Sequence, residues 1–281
     1  MKLQSARTGK CYEVGTIIRQ KGKFSAVYSS IDLSNNLPVV IKQLSEKLLH
    51  PPADFVIHSN NIHLIKANDC FEYNDITYIV VPYIAGVDAR SYFSKNKKEQ
   101  ATIIAVFYQL MECLKSLHVD GWLHLDIKSD NILIANSNGT ITPYLIDFGM
   151  AKQTNDIHNR MPFSIAYAAP ERILQMNSFV GLHSDIYSLC MCAYEWFTGH
   201  IPHEHQNPEF MMQLRITQPL ERNKRIPDTF FSILKLLTTP PAIKRPVGMY
   251  TAAELNAVML ENISMRTECI NKMSGLSKLK Y

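Results

Sequence analysis

The sequence predicts an α+β protein of two lobes, a small antiparallel sheet lobe followed by a larger helical lobe, and three observations carry that prediction. Short β-branched and aromatic runs fill the chain up to Pro82, apolar residues recur at helical spacing after Gly86, and one late run is apolar on nearly every side.

The first lobe is read from "YEVGTII", "SAVYSSID", "PVVIKQL" and "DITYIVV", which are separated by turn signals such as "SNNLP" and "YND". Such a series predicts an antiparallel sheet of about five strands. In "ATIIAVFYQLMECLKSLH", Ile104, Phe107, Leu110, Met111, Leu114 and Leu117 fall on one helical face. The run "SDIYSLCMCAYEWFTG" predicts a helix buried all round, the axis of the second lobe, with Ser184 as N-cap and Gly199 as its stop. "TTPPAIKRP" reads as a proline-interrupted loop between late helices. The expected division is a sheet lobe with a shortened helix segment over 1–81, a hinge over 82–88, a helical lobe over 89–261 and a basic tail over 262–281. Where the lobes join, near Val81 to Asp88, a cleft is expected.

At 281 residues and 46% hydrophobic, the chain has ample material for a core, and its net charge of +4 is spread rather than clustered. The basic stretches "SKNKKEQ" and "SGLSKLKY" read as solvated lysines, so no nucleic-acid partner is expected. Six cysteines (11, 70, 113, 190, 192, 269) include no CxxC pair, and two lie in the apolar helix, as reduced buried thiols would. The start "MKLQSARTGK" lacks a signal-peptide core, and no run reaches the roughly 18 apolar residues of a membrane span. The expectation is a protein without a membrane partner, placed in the cytoplasm, or in a host's cytoplasm for a secreted or viral chain.

Chemistry concentrates in "HLDIKSDNILI", where Asp126, Lys128 and Asn131 sit just before an apolar run. A loop clamped by a buried strand can hold an acid, a cation and an amide at fixed distances. Downstream come "PYLIDFGMAK", with Asp147-Phe148-Gly149, and "SIAYAAPERI", with Ala169-Pro170-Glu171; upstream is "VVIK", and later are Asp185 and Arg245. In order and spacing this series resembles the protein kinase superfamily across almost the whole chain. The pattern "DIKSDN", with Ser164 three residues before Tyr167, is similar to serine/threonine rather than tyrosine kinases.

The resemblance implies a two-lobed kinase-like fold that transfers phosphoryl groups from ATP, with Mg²⁺, to serine or threonine hydroxyls of protein substrates. Asp126 would orient the acceptor hydroxyl, Lys128 would neutralise charge on the transferred phosphate, and Asn131 and Asp147 would hold Mg²⁺. Lys42 would reach the α- and β-phosphates. Val27, Val40 and Leu133 would sandwich adenine, the Pro82 carbonyl and Ile84 N–H would meet its edge, Asp88 would lie near the ribose, and Gly22 would approach the phosphates. Glu171 with Arg245, and Asp185, would be structural supports.

The sequence also departs from the family pattern. Only Gly22 survives of a glycine-rich loop, with Gln20 and Ser25 at its flanks. The segment after Lys42 is short, interrupted by Pro51 and Pro52, and offers only Glu46 and Asp54 as acidic partners for that lysine. Leu125 stands where regulated kinases carry an arginine that binds an activating phosphate, which implies constitutive activity or control by a regulatory protein partner. The alternative is a pseudokinase, a nucleotide-binding or scaffold protein without transfer. A small-molecule kinase would not be expected to keep "DFG", "APE" and Arg245.

Overall fold

The computed structural model describes residues 1–21, 25–44, 53, 57–95, 99–157, 161–251, 253–255 and 257. Among these, the first lobe is a six-stranded sheet of β1 (Lys2–Gln4), β2 (Cys11–Lys21), β3 (Ser25–Asp32), β4 (Leu37–Gln43), β5 (Asp69–Tyr73) and β6 (Ile76–Pro82), in the order β1-β2-β3-β4-β6-β5. All neighbours pair antiparallel. The expected count of about five is short by β1, a three-residue strand whose one apolar residue, Leu3, is too little for a periodic signal. Leu3 pairs with Tyr12 and is fully buried, and the following loop is tied down by Asp69. That buried carboxylate accepts from Thr8 Oγ1 at 2.7 Å, Tyr12 OH at 2.9 Å and Arg7 at 2.8 Å. Burial alone would raise its pKa, but these donors bring it below the usual carboxylate range. One face of the sheet stacks Tyr12, Phe71 and Tyr78, with ring centroids 5.7–5.8 Å apart; on the other, Ile79 and Val81 of β6 pack with Ile65 and, from the second lobe, Tyr144 and Ile146.

The second lobe begins with β7 (Val87–Asp88), α1 (Ala89–Ser94) and α2 (Gln100–Val119), then β8 (Trp122–Leu123), β9 (Ile132–Ser137), β10 (Thr140–Leu145) and β11 (Lys152–Gln153). The helices α3 (Pro170–Ile173), α4 (Leu182–Thr198), α5 (Pro208–Thr217) and α6 (Asp228–Leu237) complete it. α2 buries Phe107, Leu110, Met111, Leu114 and Leu117 as its period predicts. α4 is buried almost all round and forms the axis of the lobe. Its stop is Gly199, left-handed at φ 84°, a conformation glycine adopts without penalty. Its N-cap is Gly181 rather than the expected Ser184. Ser184 lies one turn in, where its hydroxyl accepts from Gly181 N–H at 3.1 Å and donates to Glu171 at 2.6 Å.

Cys113, Cys190 and Cys192 are free, fully buried thiols whose pKa burial pushes up. Among the described residues no helix is long and apolar enough to cross a membrane.

Candidate active site

Between the lobes lies a cavity of about 270 Å³. Its roof is cut by sheet register: Val40 pairs with Val81 of β6, and Val27 with Lys42, so alternate residues of adjacent strands face the same side. Val27 and Val40 line the cavity from above and Leu133 of β9 from the second lobe, so the predicted apolar slot is assembled. Pro82, Ile84 and Gly86 form its connecting wall. Among the described residues Ile84 N–H has no acceptor, while its carbonyl accepts from Gly86 N–H at 2.9 Å. Gly86 is required here, since a Cβ on it would sit 2.8 Å from Ile134 O. Asp88 is not among the lining residues; its Oδ1 caps α1 by accepting from Ser91 N–H at 2.8 Å. Gly22, Glu46, Asp54 and Arg160 lie outside the described residues.

The charged end of the cavity joins both lobes, because Lys42 Nζ donates to Asp147 Oδ1 at 3.2 Å. Desolvation raises the Asp147 pKa, but the charge and hydrogen bond of Lys42, with Lys128 among the nearby charges, together bring the carboxyl below the usual range. Asp147 has φ +68°, a strained geometry for a non-glycine residue that turns its carboxylate back to the cleft while Phe148 is buried.

Below the cavity, one carboxylate gathers three side chains. Asp126 accepts from Lys128 Nζ at 2.5 Å, Ser164 Oγ at 2.6 Å and Asn131 Nδ2 at 3.0 Å. Asn131 Nδ2 also bonds Asp126 O at 2.9 Å, and Lys128 lies 3.4 Å from Ser164 Oγ. The donors come from a 3-10 turn (Ser129–Asn131), the residue before it and the later segment, so the carboxylate is fixed from three directions. Asn131 spends its amide nitrogen on Asp126, which leaves Oδ1 as an acceptor on a residue that lines the cavity.

The loop itself hangs from α4. Asp185 accepts from His124 N–H and Leu125 N–H, both at 2.8 Å, and from His118 Nε2 at 3.0 Å. Burial would raise the Asp185 carboxyl, but the His118 hydrogen bond and these backbone donors hold it low. His124 Nδ1 accepts from Asp126 N–H at 3.3 Å, so its proton is on Nε2, which donates to Ile146 O at 3.2 Å. Burial lowers its pKa and keeps it neutral.

Leu125, at φ +62°, is held in this strained geometry by Asp185 on its N–H and Arg172 on its carbonyl. Its side chain packs with Leu123, Ile157, Met161, Val180 and Leu182. Buried Arg172 also donates to Pro162 O at 2.8 Å, linking the 148–169 segment to the loop. Glu171 pairs with Arg245 in the core.

Two groups escaped the sequence reading. Arg172 follows "APE" without a periodic signal, and Glu195 sits inside a run read as apolar. Glu195 is buried because it accepts from Ser129 Oγ at 2.5 Å and Tyr167 OH at 2.7 Å, with Arg90 at 3.4 Å. Only the folded lobe brings these partners together.

Comparison with known proteins agrees with this geometry. Residues 12–255 match the family model for the protein kinase domain. The chain is 28% identical over 208 residues to a probable serine/threonine-protein kinase, pknA2, of Bifidobacterium longum, covering 67% of this chain and 26% of that protein. It is 28% identical over 238 residues to the serine/threonine-protein kinase shk1/pak1 of Schizosaccharomyces pombe, covering 79% of this chain and 35% of the relative. With the mouse serine/threonine-protein kinase PAK 1 it shares 26% over 198 residues, 67% of this chain and 35% of that one. The match thus spans only about a quarter to a third of these relatives' length. With its two lobes, its cleft and a family match over most of its length, the chain belongs to the protein kinase family.

Proposed function

We propose that this chain is an active serine/threonine protein kinase that transfers the γ-phosphoryl group of ATP. The observation that carries the reading is the Asp126 carboxylate, held by Lys128, Ser164 and Asn131 within 2.5–3.0 Å, with Asn131 itself lining the cleft. Phosphoryl transfer asks a protein chiefly for positioning and charge neutralisation, and this arrangement supplies both. Asp126 accepts a hydrogen bond from the acceptor hydroxyl and aims it. Lys128 sits beside it to neutralise charge on the moving phosphoryl group, and Lys42 holds the phosphates already in the cleft. The Ile84 N–H, without an acceptor among the described residues, and the apolar slot suit a purine base.

Asn131 Oδ1 and the second Asp147 oxygen, on a side chain 44% exposed, are the hard donors that would hold Mg²⁺, which would offset the polyphosphate charge. Contact of Lys128 with Ser164, and the relatives' names as serine/threonine-protein kinases, support a serine or threonine acceptor.

The test is transfer of labelled phosphate from ATP to a generic basic protein. Asp126→Ala should lower the rate by about 10²–10⁴-fold and Asp147→Asn should abolish it, while both variants remain folded. Wild-type protein no faster than Asp126→Ala would leave the pseudokinase reading, which the single glycine in 20–25 favours.

A further inference from the structure

The cavity between the lobes has a second cation on its roof that the family pattern does not assign. Arg19 of β2 is one of its lining residues, and among the described residues its side chain forms no hydrogen bond or ion pair. The register explains why it faces inward. Arg19 lies opposite Val27 on β3, and Val27 lies opposite Lys42 on β4. Residues directly opposite on neighbouring antiparallel strands point to one face, so Arg19, Val27 and Lys42 form a single row across the roof. Two strand spacings put the arginine and lysine backbones about 10 Å apart.

The same register says which end of the cavity the row occupies. Lys42 reaches Asp147 at 3.2 Å, at the charged end, while Val40, two residues back, pairs with Val81 at the connecting wall where the base would lie. Arg19 is therefore level with the phosphate-binding lysine, across Val27 of the apolar slot, and it is Val40 rather than this row that pairs with the connecting wall. An uncommitted guanidinium here, exposed and backed by an apolar neighbour, matches the geometry of phosphate oxygens better than that of a purine ring. Between β2 and β3 the sequence retains one glycine, at position 22, where the family's glycine-rich pattern has several.

We propose that Arg19 is a nucleotide-binding residue that pairs with the phosphates, bracketing them with Lys42 and taking over part of the anion binding that the reduced glycine loop has given up. The assignment rests on the nucleotide reading of the cleft. The test is therefore a binding measurement, calorimetric titration of the 281-residue chain with adenosine, ADP and ATP in Mg²⁺, on wild type, Arg19→Met and Arg19→Lys. One charge-assisted hydrogen bond at a partly solvated site corresponds to about a 10-fold loss. Arg19→Met should weaken ATP and ADP by about that factor, leave adenosine within about twofold, and flatten the dependence of ATP affinity on salt, with Arg19→Lys in between.

Equal ATP affinity in wild type and Arg19→Met overturns the assignment alone. A matching loss for adenosine overturns it in favour of stacking on the base. A wild type that binds neither adenosine nor ATP overturns the nucleotide reading, and Arg19 with it. Because Arg19 is exposed and forms no side-chain bond among the described residues, both variants should fold, which their melting temperatures check.

Discussion

Beneath the cleft, the loop 124–131 has its acid, amide and cation bonded to one another and its backbone hung from Asp185; above it, β2 and β3 present Ile18, Arg19 and Val27, and among the described residues Arg19 makes no side-chain bond. The floor is over-determined: Asp126 has three side-chain donors, and two strained residues, Leu125 and Asp147, are kept in place by bonds from other elements. The roof relies on register and apolar surface. The contrast teaches where the chain can vary. A carboxylate that must aim a hydroxyl tolerates little displacement, whereas a polyphosphate can be gripped by any cation that the sheet turns inward.

Removing the floor's anchor should have the largest effect on this contrast. Asp185→Ala would strip the partner from two buried backbone N–H groups and from His118, and should cost about 3–5 kcal/mol in urea unfolding as well as transfer activity. If stability and rate are both unchanged, the floor does not depend on α4.

Next in size is the link to the 148–169 segment. Arg172→Met should cost about 1.5–3 kcal/mol and lower the rate, because two carbonyls that now accept from the guanidinium lose their donor. Phosphatase treatment of the wild type should leave the rate within about twofold, since Leu125 packs the segment through Ile157 and Met161 and offers nothing to pair with a phosphate. A large loss on dephosphorylation, recovered on rephosphorylation, would sink this.

Acid should act on the floor first. His124 has its folded pKa depressed from 6.5 by burial, so its contribution to stability is present above pH 6.5 and is lost as pH falls, while the unfolded chain takes up the proton. Asp185 and Asp147, depressed from 3.8, follow the same sign at lower pH. Melting temperature should decline from about pH 6.5 downward, and a His124→Gln variant should lose the upper part of that decline. A flat profile between pH 7 and 5 would contradict a neutral buried imidazole.

The smallest effect belongs to the roof. Restoring glycines with Gln20→Gly and Ser25→Gly should cost about 0.5–1 kcal/mol each in stability and change ATP affinity by less than about threefold. A large gain in affinity would mean the lost glycines, rather than the cations, limit binding.

Much of this was legible in the sequence because it is local. "HLDIKSDNILI" keeps acid, cation and amide within one turn and its following strand, and the folded chain brings Asp126, Lys128 and Asn131 into contact. The periods of α2 and α4 were readable for the same reason, as each helix writes its own buried face. What the sequence hid depends on partners far along the chain. β1 carries one apolar residue and exists because Tyr12 and Asp69 receive it. Glu195 looks like an interruption until Ser129, Tyr167 and Arg90 surround it. Arg19 looks like an ordinary strand-edge charge until the β2–β3 register turns it inward.

The distribution of thiols also makes the two lobes chemically distinguishable. Cys11 and Cys70 of the sheet lobe are partly accessible, while Cys113, Cys190 and Cys192 are sealed around the α2–α4 contact with raised pKa values. The thiolate is the form that reacts, so alkylation of the inner three is suppressed twice, by access and by protonation. In a Cys269→Ser background, a maleimide reagent would mark the sheet lobe while the protein stays folded and the helical lobe only when α2 and α4 part. The chain thereby carries an intrinsic clock for the opening of its own core.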